Sequence, residues 1–139
     1  MPDASADPRT VLLVDDDDDL RSSLKAHLER DGFIVLEAGR AEDAELLVEA
    51  REEPIDALMM DIHLPDGWGA TVAHRLRALH PEMATIFITG YAAADPVLRS
   101  GMGHVDWHLQ KPFSAAEMIS TLREAISEHR ARDRGTDAD

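Results

Sequence analysis

The sequence predicts an α/β fold, a doubly wound five-stranded parallel sheet, and three observations point to it. Apolar runs of strand length alternate five times with segments of helical periodicity across short connections. The central run, Ile55 and then Ala57 to Met60, is almost unbroken in its apolarity, which fits a strand buried on both faces. Chemically active side chains stand where four of the runs end: Asp15, Asp61, Thr89 and Lys111. In open α/β sheets that edge is where ligand crevices form.

Taken in order, residues 1–9 read as a flexible arm of Asp, Pro and Ala. Thr10 to Val14 is the first strand. Five aspartates follow, Asp15 to Asp19, and Leu20, Leu24 and Leu28 then recur at helical spacing up to Gly32, a helix end. The acidic run is therefore a strand-to-helix turn, part of it near a helix N-terminus that favours negative charge. Phe33 to Leu36 is the second strand, and Ala41 to Glu52 a helix with Ala44, Leu47 and Val48 inward. The third strand ends at Asp61, after which Pro65 and Asp66-Gly67 force a loop. A helix from Trp68 or Gly69 to Leu79 turns Val72, Leu76 and Leu79 inward and closes at His80-Pro81.

Ala84 to Thr89 is the fourth strand. Asp95 to Ser100 is a short helical candidate weakened by Gly101 and Gly103. Trp107 to Gln110 is the fifth strand, Lys111-Pro112-Phe113 a turn, and Ser114 caps a last helix with Glu117 at capping-box spacing and Met118, Leu122 and Ile126 inward. One domain over residues 10–128 follows, with residues 129–139 as a charged tail.

Composition narrows the function. A chain of 139 residues suits one domain that buries roughly two-thirds of its unfolded surface. Cysteine is absent, which removes disulfides, thiolate metal sites and a thiol nucleophile and favours a reducing compartment. The apolar runs stop well short of the ~18 residues that span a bilayer, and the first eight residues lack the pattern of a signal peptide. A cytoplasmic location with no membrane partner is expected. The net charge of −14 repels phosphate backbones, so nucleic acid is not expected as a partner, whereas a cationic protein surface is.

Right-handed crossovers put all strand C-termini on one edge, and the flavodoxin-like order 2-1-3-4-5 makes strands one and three neighbours. Asp15 and Asp16 then stand beside Asp61, with Thr89 and Lys111 arriving from strands four and five. Three carboxylates in one crevice repel, and a hard cation relieves them; Mg²⁺ accepts a few such oxygens while keeping waters and phosphate oxygens. Asp15, Asp17 and Asp19 also have the first ligand spacings of an EF-hand. That reading fails because Leu20 stands where a turn glycine is needed and Ala26 where a bidentate Glu is needed. A carboxylate nucleophile, a cation, a hydroxyl and an ammonium together describe phosphoryl transfer onto aspartate. Taken singly, each has a plainer reading: an acidic turn, a strand-end threonine, a surface lysine before proline.

Val11-Leu12-Leu13-Val14-Asp15-Asp16, Asp61-Ile62-His63-Leu64-Pro65 with Gly69 downstream, Ile88-Thr89-Gly90 and Lys111-Pro112-Phe113 resemble the receiver domains of two-component response regulators, over about Thr10 to Glu128. The resemblance implies Asp61 as phosphoacceptor and a Mg²⁺ held by Asp15, Asp16, Asp61 and the backbone carbonyl of His63. It also implies that Thr89 and Lys111 bind the phosphoryl oxygens. The donor would be a phosphohistidine on a sensor histidine kinase or a histidine phosphotransfer protein, and the receiver itself would catalyse transfer and later hydrolysis. His63 and Tyr91 occupy positions that tune phosphoryl lifetime in this family.

At the switch position, where Tyr or Phe is usual, this chain has His108, whose charge can change near neutral pH. A single-domain receiver is expected, a relay or protein-binding switch with no DNA-binding output domain. Its downstream partner would bind the face of the fourth helix, fifth strand and fifth helix. Two rivals remain: a degenerate receiver that signals by binding alone, and an aspartate-nucleophile phosphatase. The second is disfavoured by His63, which stands where such enzymes carry a second Asp.

Overall fold

The computed structural model describes residues 8–90 and 107–137. Thr10–Val14 (β1), Ile34–Ala38 (β2), Ala57–Asp61 (β3), Ala84–Thr89 (β6) and Trp107–Gln110 (β7) form one five-stranded sheet in the order β2-β1-β3-β6-β7. Every pairing in it is parallel. In sequence these are the first to fifth main strands, so the order is the 2-1-3-4-5 expected. β1, β3 and β6 lie inside the sheet and are buried at every position, which is why they read as continuous apolar runs.

The pleat divides these runs between two cores. Leu12, Val14, Leu58, Met60 and Phe87 face helices α2 (Ala41–Ala50) and α3 (Gly69–Leu79), joined there by Ala44, Val48, Val72 and Leu76. Val11, Leu13, Met59, Ile86 and Ile88 face α1 (Asp18–Arg30) and the last helix (Ala115–Asp137) through Leu24, Leu28, Met118, Leu122 and Ile126. Truncating a fully buried leucine such as Leu12 or Leu58 is worth about 2–5 kcal/mol of destabilisation. Both faces are needed to fix the sheet edge on which the site is built.

Helix ends follow local chemistry. The Asp17 side chain accepts from Leu20 N at 3.0 Å and starts α1, and the Ser114 hydroxyl accepts from Glu117 N at 3.0 Å and starts the last helix. Gly32, at φ 95°, lets the chain leave α1 in the left-handed region.

Several boundaries differ from the sequence reading. β2 begins at Ile34, because the Phe33 N–H is taken by the Leu28 carbonyl at 3.0 Å and the ladder opens with Ile34 N donating to Arg9 O at 2.8 Å. α2 stops at Ala50. Beyond it the ring of buried His80 reaches the carbonyls of Val48 and Arg51 at 3.2 and 3.0 Å. His80 is thus a tie between two helix ends, with Glu82 on its other nitrogen at 2.7 Å. Leu79 points outward, 52% exposed.

The loop after Asp61 contains a small antiparallel ribbon, His63–Leu64 (β4) with Gly67–Trp68 (β5), turning through Pro65 and Asp66. The last helix runs on into the charged segment, where Glu128 pairs with Arg132 at 3.4 Å and Arg130 with Asp56 at 2.7 Å. The helical candidate at Asp95–Ser100, its glycines Gly101 and Gly103, and Tyr91 lie outside the described residues.

Candidate functional site

The parallel order delivers four strand ends to one edge. Asp15 directly follows β1 and is fully buried. Its Oδ1 accepts from Asp17 N at 2.9 Å, which turns the chain away from the sheet and leaves Asp16 exposed beside it. Asp61 closes β3, 8% exposed, and its Oδ1 accepts from His63 N at 2.8 Å. Lys111 directly follows β7 and is joined to Pro112 by a cis peptide bond; its Nζ lies 3.0 Å from Asp61 Oδ2 and 3.4 Å from Asp15 Oδ2. Its own N–H donates to Thr89 O at 2.7 Å, so the lysine and the end of β6 are joined through the backbone. Thr89 is 2% exposed.

Asp15, Asp61 and Lys111 are therefore brought together, with Asp16 on the rim and Thr89 tied to Lys111 through its backbone carbonyl. One oxygen from each of Asp15, Asp16 and Asp61 lies within 4.8 Å of the others. Burial pushes the Asp15 carboxyl above its usual range; the Asp17 N–H and the Lys111 charge oppose that shift, and the Asp61 charge adds to it. For Lys111 burial acts to lower the pKa, but the Asp61 hydrogen bond and the two carboxylate charges outweigh it, and the ammonium is held above its usual range.

Asp15 Oδ2 is buried and accepts no hydrogen bond among the described residues. The Lys111 ammonium faces it at 3.4 Å. A buried carboxylate oxygen without a donor, beside two more carboxylates, is an all-oxygen set of the kind a hard divalent cation takes. The residues present fit a Mg²⁺ ion.

Two expected positions are placed differently from the rest. The His63 ring is exposed, 5.0 Å edge-on from Trp68, while its backbone stays in the ribbon at the crevice. His108 is exposed on the edge strand β7 and stacks on the buried Phe87 ring at 6.3 Å.

Arg21 was not legible as a site residue. It donates to the backbone carbonyl of Asp15 at 2.6 Å, to Asp18 at 2.8 Å and to Glu37 at 3.3 Å, fixing the turn that carries both aspartates. Its one sequence signal is the spacing to Asp18, which is generic for a helix surface.

Comparison with known proteins agrees with this geometry. The model of the response regulator receiver domain family matches residues 11–123. The chain is 34% identical over 113 residues to the transcriptional regulatory protein CpxR of Escherichia coli K12, covering 81% of this chain and 47% of CpxR. It is 32% identical over 118 residues to the sensor kinase CckA of Brucella abortus (strain 2308), covering 84% of this chain and 12% of CckA. It thus spans half or less of these relatives. A crystal structure of a response regulator protein from Burkholderia pseudomallei, with a phosphorylated aspartic acid, calcium ion and citrate, superposes with a TM-score of 0.71 at 27% identity, over 90% of this chain and 72% of that one. Among the described residues no helix is long and apolar enough to cross a membrane. Fold, site and the match over residues 11–123 converge on one assignment: the chain belongs to the response regulator receiver domain family of two-component signalling.

Proposed function

We propose that Asp61 accepts a phosphoryl group from a phosphohistidine of a sensor histidine kinase or histidine phosphotransfer protein. The observation that carries this reading is a carboxylate at a sheet edge with an ammonium at 3.0 Å and two further carboxylates within reach of one cation. An Asp61 oxygen attacks phosphorus, the P–N bond to the donor imidazole breaks, and an acyl phosphate forms. Asp15, Asp16, Asp61 and the His63 carbonyl would hold Mg²⁺, which supplies positive charge to the transferring phosphoryl oxygens when bound. Lys111 and the Thr89 hydroxyl hold the remaining oxygens, and water later hydrolyses the acyl phosphate. The groove beside Lys111, lined in part by Leu20, Leu24, Pro112 and Phe113, would give the donor an apolar seat.

Output passes in this reading through protein contact, with Thr89 and His108 as the switch pair and the β7 and last-helix side of the fold as the contact face. The chain acts as a relay or a protein-binding switch. It catalyses its own phosphorylation and dephosphorylation and turns over no other substrate.

The test is incubation with acetyl phosphate and Mg²⁺ followed by intact mass. One phosphoryl adduct per chain is expected, lost on removal of Mg²⁺ and in Asp61→Asn. Absence of any adduct would make the chain a degenerate receiver, and steady release of phosphate from small esters would make it a phosphatase.

A further inference from the structure

Helix α2 lacks a cap of its own. Arg40, its N-cap residue, makes no side-chain capping bond, so the first amides of the helix need an acceptor from elsewhere. Asp66 supplies it. Its Oδ1 accepts from Ala41 N at 2.8 Å and its Oδ2 from Glu42 N at 3.0 Å, across 25 and 24 positions of sequence. Arg40 Nε stands 3.8 Å from the same carboxylate. The two amides hold the Asp66 carboxyl below its usual range, with the Arg40 charge helping and desolvation opposing.

Asp66 lies in the turn of the ribbon that follows the phosphoacceptor. Leu64 pairs with Gly67 and His63 with Trp68. A Cβ at Gly67 would meet Val72 Cγ2 at 2.9 Å and Ala41 Cβ at 3.6 Å, so this turn is pressed onto α2 and α3. At the other end of the ribbon His63 N donates to Asp61 Oδ1, and Gly69 N donates to Ile62 O at 2.7 Å. An unbroken path of hydrogen bonds and ladder pairs thus joins the first turn of α2 to the Asp61 carboxylate.

We infer that Asp66 is a positioning residue, which by clamping the ribbon to α2 fixes Asp61 and the His63 carbonyl and so sets how tightly the aspartate cluster takes Mg²⁺. This rests on the receiver reading above. Outer partners of metal ligands change affinity by about 10–100-fold when removed. Asp66→Ala is expected to weaken Mg²⁺ binding by about tenfold on that scale.

The chain has two tryptophans, so Trp68, on the ribbon itself, becomes the sole reporter in a Trp107→Phe background. Mg²⁺ is titrated by Trp68 fluorescence and thermal stability is measured on the same samples. A purely structural cap is separated from a positioning role by adding Arg40→Ser to Asp66→Ala, because a serine there gives α2 a local cap without touching the ribbon. Stability should return while Mg²⁺ affinity stays weak. Asp66→Asn, which keeps one acceptor oxygen, serves if the alanine variant does not fold, and should fall between the two.

Unchanged affinity in these variants, or affinity that returns together with stability on adding Arg40→Ser, overturns the inference. Mg²⁺ affinity is read without any phosphoryl donor. A wild-type chain that binds Mg²⁺ but takes no phosphoryl group would therefore count against the proposed function and leave the Asp66 result to stand by itself.

Discussion

Lys111 Nζ and Asp61 Oδ2 meet at 3.0 Å although 50 positions separate them in sequence. The same ammonium faces Asp15 at 3.4 Å, so one cation shares the charge of two carboxylates. In Lys111→Met that positive charge is gone and the carboxylates keep theirs. Uptake from acetyl phosphate should slow by about 10²–10³-fold, the scale for deleting one charge-stabilising donor. Mg²⁺ affinity should rise, because the ion no longer competes with an ammonium for the same oxygens. Adduct formation followed by intact mass and a Mg²⁺ titration check both, and a simultaneous loss of Mg²⁺ affinity would contradict the shared-charge picture.

Asp15 makes the second prediction. Its folded pKa lies above the usual 3.8, chiefly through burial. An acid that binds its proton more tightly when folded loses stability as pH climbs through the window between the unfolded and folded values. At neutral pH its charge is a cost to folding. Asp15→Asn should therefore have the higher urea midpoint at neutral pH without divalent cation, and a flatter pH dependence above 3.8. Added Mg²⁺ should reverse the order, since the wild-type chain gains about 2.7 kcal/mol at a hundredfold excess over Kd and the variant loses its ligand oxygen.

The parts legible in the sequence were those with a local cause. β1, β3 and β6 announce themselves because strands covered on both faces carry no polar positions, and the observed β6 and β7 have the expected bounds. The approach of Lys111 to Asp61 was readable because each stands at a strand end, and topology then brings those ends to one edge. Leu79 was misread, and the part His80 plays was not legible, because helical period and a following proline say nothing of what packs there. His80 is buried by carbonyls 29 and 32 positions away. Asp66 looked like a turn residue, which it is, but its two amide partners belong to α2. Long-range polar contacts of this kind have no periodic signature.

Gly69 makes a third prediction, from close approach of two backbones. A Cβ there would stand 2.7 Å from Ile62 Cα and 2.9 Å from Asp61 O, backbone atoms that cannot rotate aside. Gly69→Ala should cost about 1–3 kcal/mol, as overpacking does, and should slow phosphoryl uptake because the displaced segment carries Asp61, the proposed phosphoacceptor. Gly67→Ala meets the end of the Val72 side chain, which can shift, and should cost less. Thermal melts of the two variants with the adduct rate of each decide the order. Equal losses would remove the distinction between backbone and side-chain contact.

His108 lies over Phe87, its partner in the β6–β7 register, with the rings 26° from parallel and 6.3 Å apart. Such a stack is worth about 0.5–1.5 kcal/mol beyond the area it buries. In the proposed switch this ring leaves Phe87 when Thr89 engages the phosphoryl group, so a beryllofluoride mimic should shift the NMR signals of Phe87 together with those of β7. His108→Phe keeps a stacked ring and should retain the Phe87 response. His108→Ala has no ring to move, and the Phe87 response should be lost while the phosphoryl adduct on intact mass persists. An unchanged Phe87 response in His108→Ala would remove His108 from the switch.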